Sequence, residues 1–126
     1  MHKLYNASLT FLDKQDYAKA YSLFEKLGDY KDSRSKIIPV GVGYVKLLFD
    51  DKKYGEVIVV MDNIGNPEEC SEYYTESCYY YAVECNENGD YSTALVYLNK
   101  CDKHKGVEKQ KKIAKYGYVK DNRNSS

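Results

Sequence analysis

Apolar positions along this chain recur with helical spacing, and the helical stretches themselves recur. After Tyr17, the residues Ala20, Tyr21, Phe24 and Leu27 follow at intervals of three and four, which places them on one face of an α-helix. The stretches beginning at Tyr54 and Tyr91 repeat the pattern, and the three tyrosines stand 37 residues apart. The next positions agree in kind. Ala20, Val57 and Ala94 are small, Phe24, Met61 and Leu98 are large, and Leu27, Ile64 and Cys101 close each segment with an apolar residue. A fixed period of this length marks a repeat architecture, in which one unit cannot bury its apolar face alone and neighbours must stack.

Each period divides into two helices, and the tyrosine starts the second. That helix is expected to stop at Gly28-Asp29, Gly65-Asn66 and Asp102-Lys103, where glycine suits the left-handed residue that follows many helices. Asp32 or Ser33 is placed to cap the next helix. Asn66-Pro67-Glu68-Glu69 offers an N-cap, a proline at the first helical position and two acids in the first turn. The first helices of the units are less uniform. Residues 34–50 contain Pro39, Gly41 and Gly43, which predicts a bend, or a helix that begins near Val40. Residues 68–88 read as one long helix, and 106–120 as a final helix fading into a polar tail over 119–126 that is expected to fray. The expected fold is all-α: an α-α superhelix of about three helix-turn-helix units forming a single domain over 1–118.

The pattern resembles the tetratricopeptide repeat family, whose unit carries Gly-Asp-Tyr, an alanine three residues later, and large apolar residues after that. "NGDYSTALVYLNKC" and "KQDYAKAYSLFEKL" both follow it. Leu27-Gly28-Asp29-Tyr30-Lys31-Asp32-Ser33 matches the "LGDYKDS" phrase that joins units in a bacterial variant of the family. The middle unit departs from the pattern, with Gly55, Val57 and "GNPEEC", and the period of 37 exceeds the family's usual 34. The resemblance implies an α-solenoid that presents surfaces to partners, with the first helix of each unit lining the concave side. It implies no chemistry of its own.

Composition narrows the picture further. Fifteen tyrosines and no tryptophan mean that much of the core is built from rings whose hydroxyls need water or a partner. No segment is apolar and long enough for a signal peptide or a membrane span. A cytoplasmic location and reduced thiols are therefore expected, and the Asn6-Ala7-Ser8 sequon is read as chance. Formal charge sums to zero, but unevenly: residues 54–99 hold nine acids and no Lys or Arg, while residues 100–126 hold nine bases and three acids.

Few residues suggest chemistry. Cys70, Cys78, Cys85 and Cys101 form no C-x-x-C pair, and His2 and His104 stand at no ligand spacing from them. On a helical wheel Cys70, Tyr74, Tyr81, Ala82 and Cys85 share a side with Cys78, so the thiols read as small buried apolar groups. There is no phosphate loop, nucleophile elbow or zinc-protease motif. His104 falls in register with Tyr30, and Glu68-Glu69 sits at a helix start. No enzyme activity, metal or cofactor is expected.

Two surfaces remain as candidates for binding. The far side of helix 68–88 carries Tyr73, Glu76, Tyr79, Tyr80 and Glu84, with Glu72, Val83 and Glu87 nearby. Tyrosine gives large contact area with few rotors, so a protein or peptide partner with a basic surface is the expected ligand. The competing reading packs these rings on neighbouring units and leaves the glutamates as a solvated face. The second surface is basic: Lys105, Lys109, Lys112 and Lys115, extended by Lys100, Lys103, Lys111, Lys120 and Arg123. It suits nucleic acid or an acidic partner, including residues 54–99 of a second copy in head-to-tail self-association. The acidic middle segment also fits an inhibitor of phage or defence type that mimics nucleic acid.

Overall fold

The computed structural model describes residues 2–124, with side-chain surroundings for residues 2–120. Among them the chain is all helical: α1 (His2–Asp13), α2 (Tyr17–Leu27), α3 (Ser33–Asp50), α4 (Tyr54–Asn63), a 3-10 turn (Glu68–Cys70), α5 (Ser71–Glu87), α6 (Tyr91–Asn99) and α7 (Val107–Asn124). The all-α helix-turn-helix organisation expected from the period is the one observed. Helices α1, α2, α3 and α4 pack in sequence within one compact unit, residues 1–71; residues 72–126 form a second, in which α6 packs on α7.

The 37-residue period is written into the backbone. The turn from first to second helix occurs three times, and the left-handed residue falls at Gln15 (φ 59°), Lys52 (φ 60°) and Gly89 (φ 82°). The next amide reaches back five residues each time: Asp16 to the Phe11 carbonyl at 2.8 Å, Lys53 to Leu48 at 2.9 Å, Asp90 to Cys85 at 2.8 Å. The left-handed residue itself bonds three residues back, Gln15 to Leu12, Lys52 to Phe49 and Gly89 to Asn86. This is the paired closure of a Schellman turn. It satisfies the last carbonyls of the first helix and turns the chain so that Tyr17, Tyr54 or Tyr91 opens the second. Glycine takes the left-handed conformation without a side-chain penalty only in the third copy.

The linkers between units repeat in part. Tyr30 and His104 occupy one register position, and each donates its amide three residues back, to Leu27 (3.1 Å) and Cys101 (2.9 Å). Ser33, Cys70 and Val107 begin the next segment in register, all of them buried. The middle linker differs because Pro67 has no amide. Asn66 takes a left-handed φ of 52°, and the chain makes a 3-10 turn before α5 starts at Ser71. The expected single helix over 68–88 is therefore divided. Pro67 precedes the turn with φ −55° and ψ 135° rather than occupying a first helical position, and Asn66 bonds the Asp62 carboxylate instead of capping.

Three further expectations are corrected. Helix α3 runs unbroken from Ser33 through Pro39 to Asp50, so it does not begin near Val40. Proline forfeits one backbone bond there, which the packed helix absorbs. Asp32 stands at the α3 N-cap without a side-chain cap bond; its carboxylate instead accepts the Tyr5 hydroxyl and pairs with Lys36. Helix α7 continues past the expected start of the tail to Asn124, and residues 125–126 lie outside the described residues.

The core of the first unit is a layer of aromatic and branched side chains. Phe24, Val40, Val45, Val57 and Met61 are almost fully buried, and Tyr5 meets Phe24 edge-on at 6.4 Å. In the second unit Cys78, Ala82, Ala94, Leu98, Val107 and Ala114 are buried, and Tyr81 meets Tyr97 edge-on at 4.9 Å. In both units the tyrosine that opens a second helix lies against a glycine of the following helix. A Cβ on Gly43 would stand 2.6 Å from the Tyr17 ring, and one on Gly117 would stand 2.5 Å from the Tyr91 ring. Both glycines follow their tyrosine by 26 residues, and the same offset from Tyr54 falls on Tyr80.

This seat reverses the usual effect of replacing a helical glycine. Gly43→Ala should lower the urea midpoint, because the methyl group displaces the Tyr17 ring. In a Tyr17→Ala background the same change should stabilise by about 1 kcal/mol, the helix-propensity gain alone. A double-mutant cycle followed by circular dichroism checks both signs.

Candidate functional site

The acid- and tyrosine-bearing side of α5 is where the sequence points, and the structure places its residues unequally. Spacing along the helix puts Tyr73, Glu76, Tyr80 and Glu84 within one broad arc, at about 100° per residue. Opposite them Cys78, Ala82 and Cys85 are buried, which fixes the rotation of the helix, and Ser77, beside Glu84 at the edge of the arc, is fully buried as well. Glu84 is exposed, Tyr80 is 38% exposed, and Tyr73, Glu76 and Tyr79 are half-buried.

Tyr79 is held on three sides. Its ring stacks on His104 with centroids 3.9 Å apart and planes 13° from parallel. Tyr80 meets it edge-on at 5.4 Å. Gly106 lies against it so closely that a Cβ there would come within 2.3 Å of the hydroxyl. His104 in turn faces Glu76, with Nε2 3.3 Å from a carboxylate oxygen, and its Nδ1 accepts the Gly106 amide at 3.2 Å. Since Nδ1 is an acceptor, the ring proton sits on Nε2 and points at Glu76.

The cluster therefore absorbs two of the five residues read from the sequence. Glu76 and Tyr79 secure the linker after α6 to α5, while Tyr80 and Glu84 face outward beside them. The residues that sequence reasoning missed are His104 and Gly106. Register with Tyr30, which packs on Tyr5 at 5.9 Å, was the available signal that position 104 holds a ring stack.

The basic residues also divide. Lys111 is bound to Asp102 at 2.9 Å, and that hydrogen bond raises its pKa. Lys105, Lys109, Lys112 and Lys115 are exposed and enter no ion pair among the described residues. The side chain of Arg123 lies outside the described residues. Helix α7 also exposes Ile113, Tyr116, Tyr118 and Val119, which composition alone did not single out.

The four cysteines are free and buried. Burial pushes the thiols of Cys70, Cys85 and Cys101 up, Cys101 to about 11, with Asp102 adding to the shift there. Neutral buried thiols are poor nucleophiles and poor metal ligands. No cluster of three or more candidate metal ligands occurs among the described residues, and no helix among them is long and apolar enough to cross a membrane. Comparison with family models, with curated proteins and with solved structures finds no match.

Replacing His104 should rank variants by what they keep. Tyrosine can preserve the stack while losing the contacts to Glu76 and to the Gly106 amide, whereas alanine loses all three. The expected order of chemical stability is wild type, His104→Tyr, His104→Ala, with about 1 kcal/mol carried by the ring pair. Equal losses for the two variants would contradict it.

A thiol that ionises near 9 when unfolded but near 11 when folded makes the unfolded state lose its proton first. Stability is then full below pH 9 and declines as pH rises toward 11. Urea midpoints across that range should fall for the wild type and fall less for Cys101→Ala.

Proposed function

We propose that the protein is a non-catalytic protein-binding module of tetratricopeptide-like type, whose recognition surface is the outward side of α5. The observation that carries this reading is the rigid mounting of Tyr80. Its neighbour Tyr79 is locked between His104 and Gly106, so Tyr80 is presented with little freedom left to lose, beside the exposed carboxylate of Glu84. A preformed surface binds without the cost of ordering side chains. Its ligand is a protein or peptide with a basic, partly apolar face. The acids of the middle segment would speed encounter with such a partner. Four reduced, buried thiols suit a cytoplasmic setting. The contact of Lys105, Lys109, Lys112 and Lys115 with nucleic acid is the weaker reading, because large apolar groups are interleaved with these lysines on α7.

A fluorescent lysine- and leucine-containing helical peptide is a suitable probe. Anisotropy at low salt should give saturable binding that weakens at least tenfold in Tyr80→Ala combined with Glu84→Lys. Because Tyr80 also packs edge-on against Tyr79, circular dichroism first verifies that the double variant keeps its helices. Unchanged affinity in that variant would reject the surface named here.

A further inference from the structure

We infer that α7 of one molecule docks into the groove between α2 and α4 of a second copy. The inference is independent of the α5 surface and uses none of its residues.

The first half of the argument is the uncovered face of α7. Tyr116 is 73% exposed and Val119 is 49% exposed. Counting back by the 37-residue period, Tyr116 stands in register with Tyr5, which is 9% exposed and packed against Phe24 of α2. Val119 stands in register with Ser8, Val45 and Ala82, all fully buried. Position 119 is fully buried in the other three copies, and position 116 is buried at Tyr5 and half-buried at Val42 and Tyr79, so both are more exposed on α7 than in any other described copy. Lys109, Lys112 and Lys120 flank them, within an arc of about 120° counted at about 100° per residue. All three are exposed and enter no ion pair among the described residues. The face interleaves apolar and basic side chains: Lys112 lies between Val119 and Tyr116, and Lys109 and Lys120 lie beyond Tyr116.

The second half is a groove of opposite character. Two clefts, of 270 Å³ and 450 Å³, lie between α2 and α4 on either side of Glu25 and Asn63, which line both, and the Asn63 side chain donates to Tyr21 and Glu25 across the groove. Tyr44 of α3 lines the smaller cleft, and Val59, 59% exposed, lies at its side. Glu25 and Glu56 supply carboxylates, and the one cation that lines either cleft, Arg34, is already paired with Asp29. An acidic groove repels nucleic acid and attracts a basic helix.

Dimensions agree as well. The groove follows α2 from Ala18 to Gly28, roughly 15 Å at about 1.5 Å per residue, and the α7 face from Lys109 to Lys120 is of about the same length. The chain therefore carries both a ridge of interleaved basic and apolar side chains and a groove that bears Glu25 and Glu56. They are different surfaces, so the contact is heterologous: each molecule offers one of each, and association continues molecule by molecule unless the rotation closes a ring.

The test is complementation by sedimentation velocity on the full chain. Lys112→Glu with Tyr116→Ala removes the ridge; Glu56→Lys with Val59→Lys removes the groove. All four positions are exposed, and circular dichroism confirms that each variant is folded. The wild type should grow in mass with concentration and lose that growth at high salt. Each variant alone should stay monomeric. An equimolar mixture of the two should form a heterodimer and nothing larger, because only one intact ridge and one intact groove can meet. A wild type that is monomeric at every concentration overturns the inference. So does a mixture that stays monomeric, or a variant that associates like the wild type.

Discussion

The contact on which the arrangement of each unit depends is a tyrosine ring laid against a bare stretch of helix. Tyr17 on Gly43 and Tyr91 on Gly117 bring the start of one helix within van der Waals reach of the next helix's backbone. That approach is closer than any side chain at the glycine would allow. It explains why glycine is kept at two helix-interior positions despite costing about 1 kcal/mol of intrinsic helix propensity each. The Schellman turn that precedes each tyrosine delivers the ring to its place, so turn and seat act together.

Given that frame, the distribution of polar chemistry follows. Side chains that face the packed layer are small, branched, aromatic or sulfur-bearing, and burial raises the thiol pKa values. Several polar side chains at the packed regions pair off: Tyr5 with Asp32, Asn63 with Tyr21 and Glu25, Asn86 through its amide nitrogen with Gln110, His104 with Glu76; the hydroxyls of Ser33 and Ser77 are buried without such a partner. Part of what remains outward is sorted by sign, although α2 also exposes Lys19 and Lys26. Carboxylates border α5 and the α2/α4 groove, and lysines border α7. Such sorting favours encounters between unlike surfaces and suppresses encounters between like ones.

Much of the fold was legible in the sequence because it rests on local rules. A tyrosine every 37 residues, small and large apolar residues at fixed offsets, and turn residues between them pointed to about three helix-turn-helix units, and the described residues are all-helical in that order. The misreadings have specific causes. Pro39 was weighed by its local cost alone, while the packed helix carries it. Pro67 looked like a first helical residue, but Asn66 turns left-handed before it and diverts the chain into a 3-10 turn. Gly43 was grouped with Pro39 as a breaker, although Gly117 at the same distance from its own tyrosine was the clue to a seat. The candidate site was less legible. Helical spacing found the arc that holds Tyr73, Glu76, Tyr80 and Glu84, yet whether a side chain on it is outward or occupied depends on the linker that folds over it. His104 and Gly106 lie 25 residues or more along the chain from Tyr79, and no periodicity reports a stack between them.

The most direct measurement of the central claim is a residue-resolved NMR titration with a basic helical peptide. Amide shifts concentrated on Tyr73, Tyr80 and Glu84, with the Tyr79–His104 cluster unmoved, are the expected result. Shifts confined to other helices, or none at saturating peptide, would contradict the assignment of α5 as the binding surface.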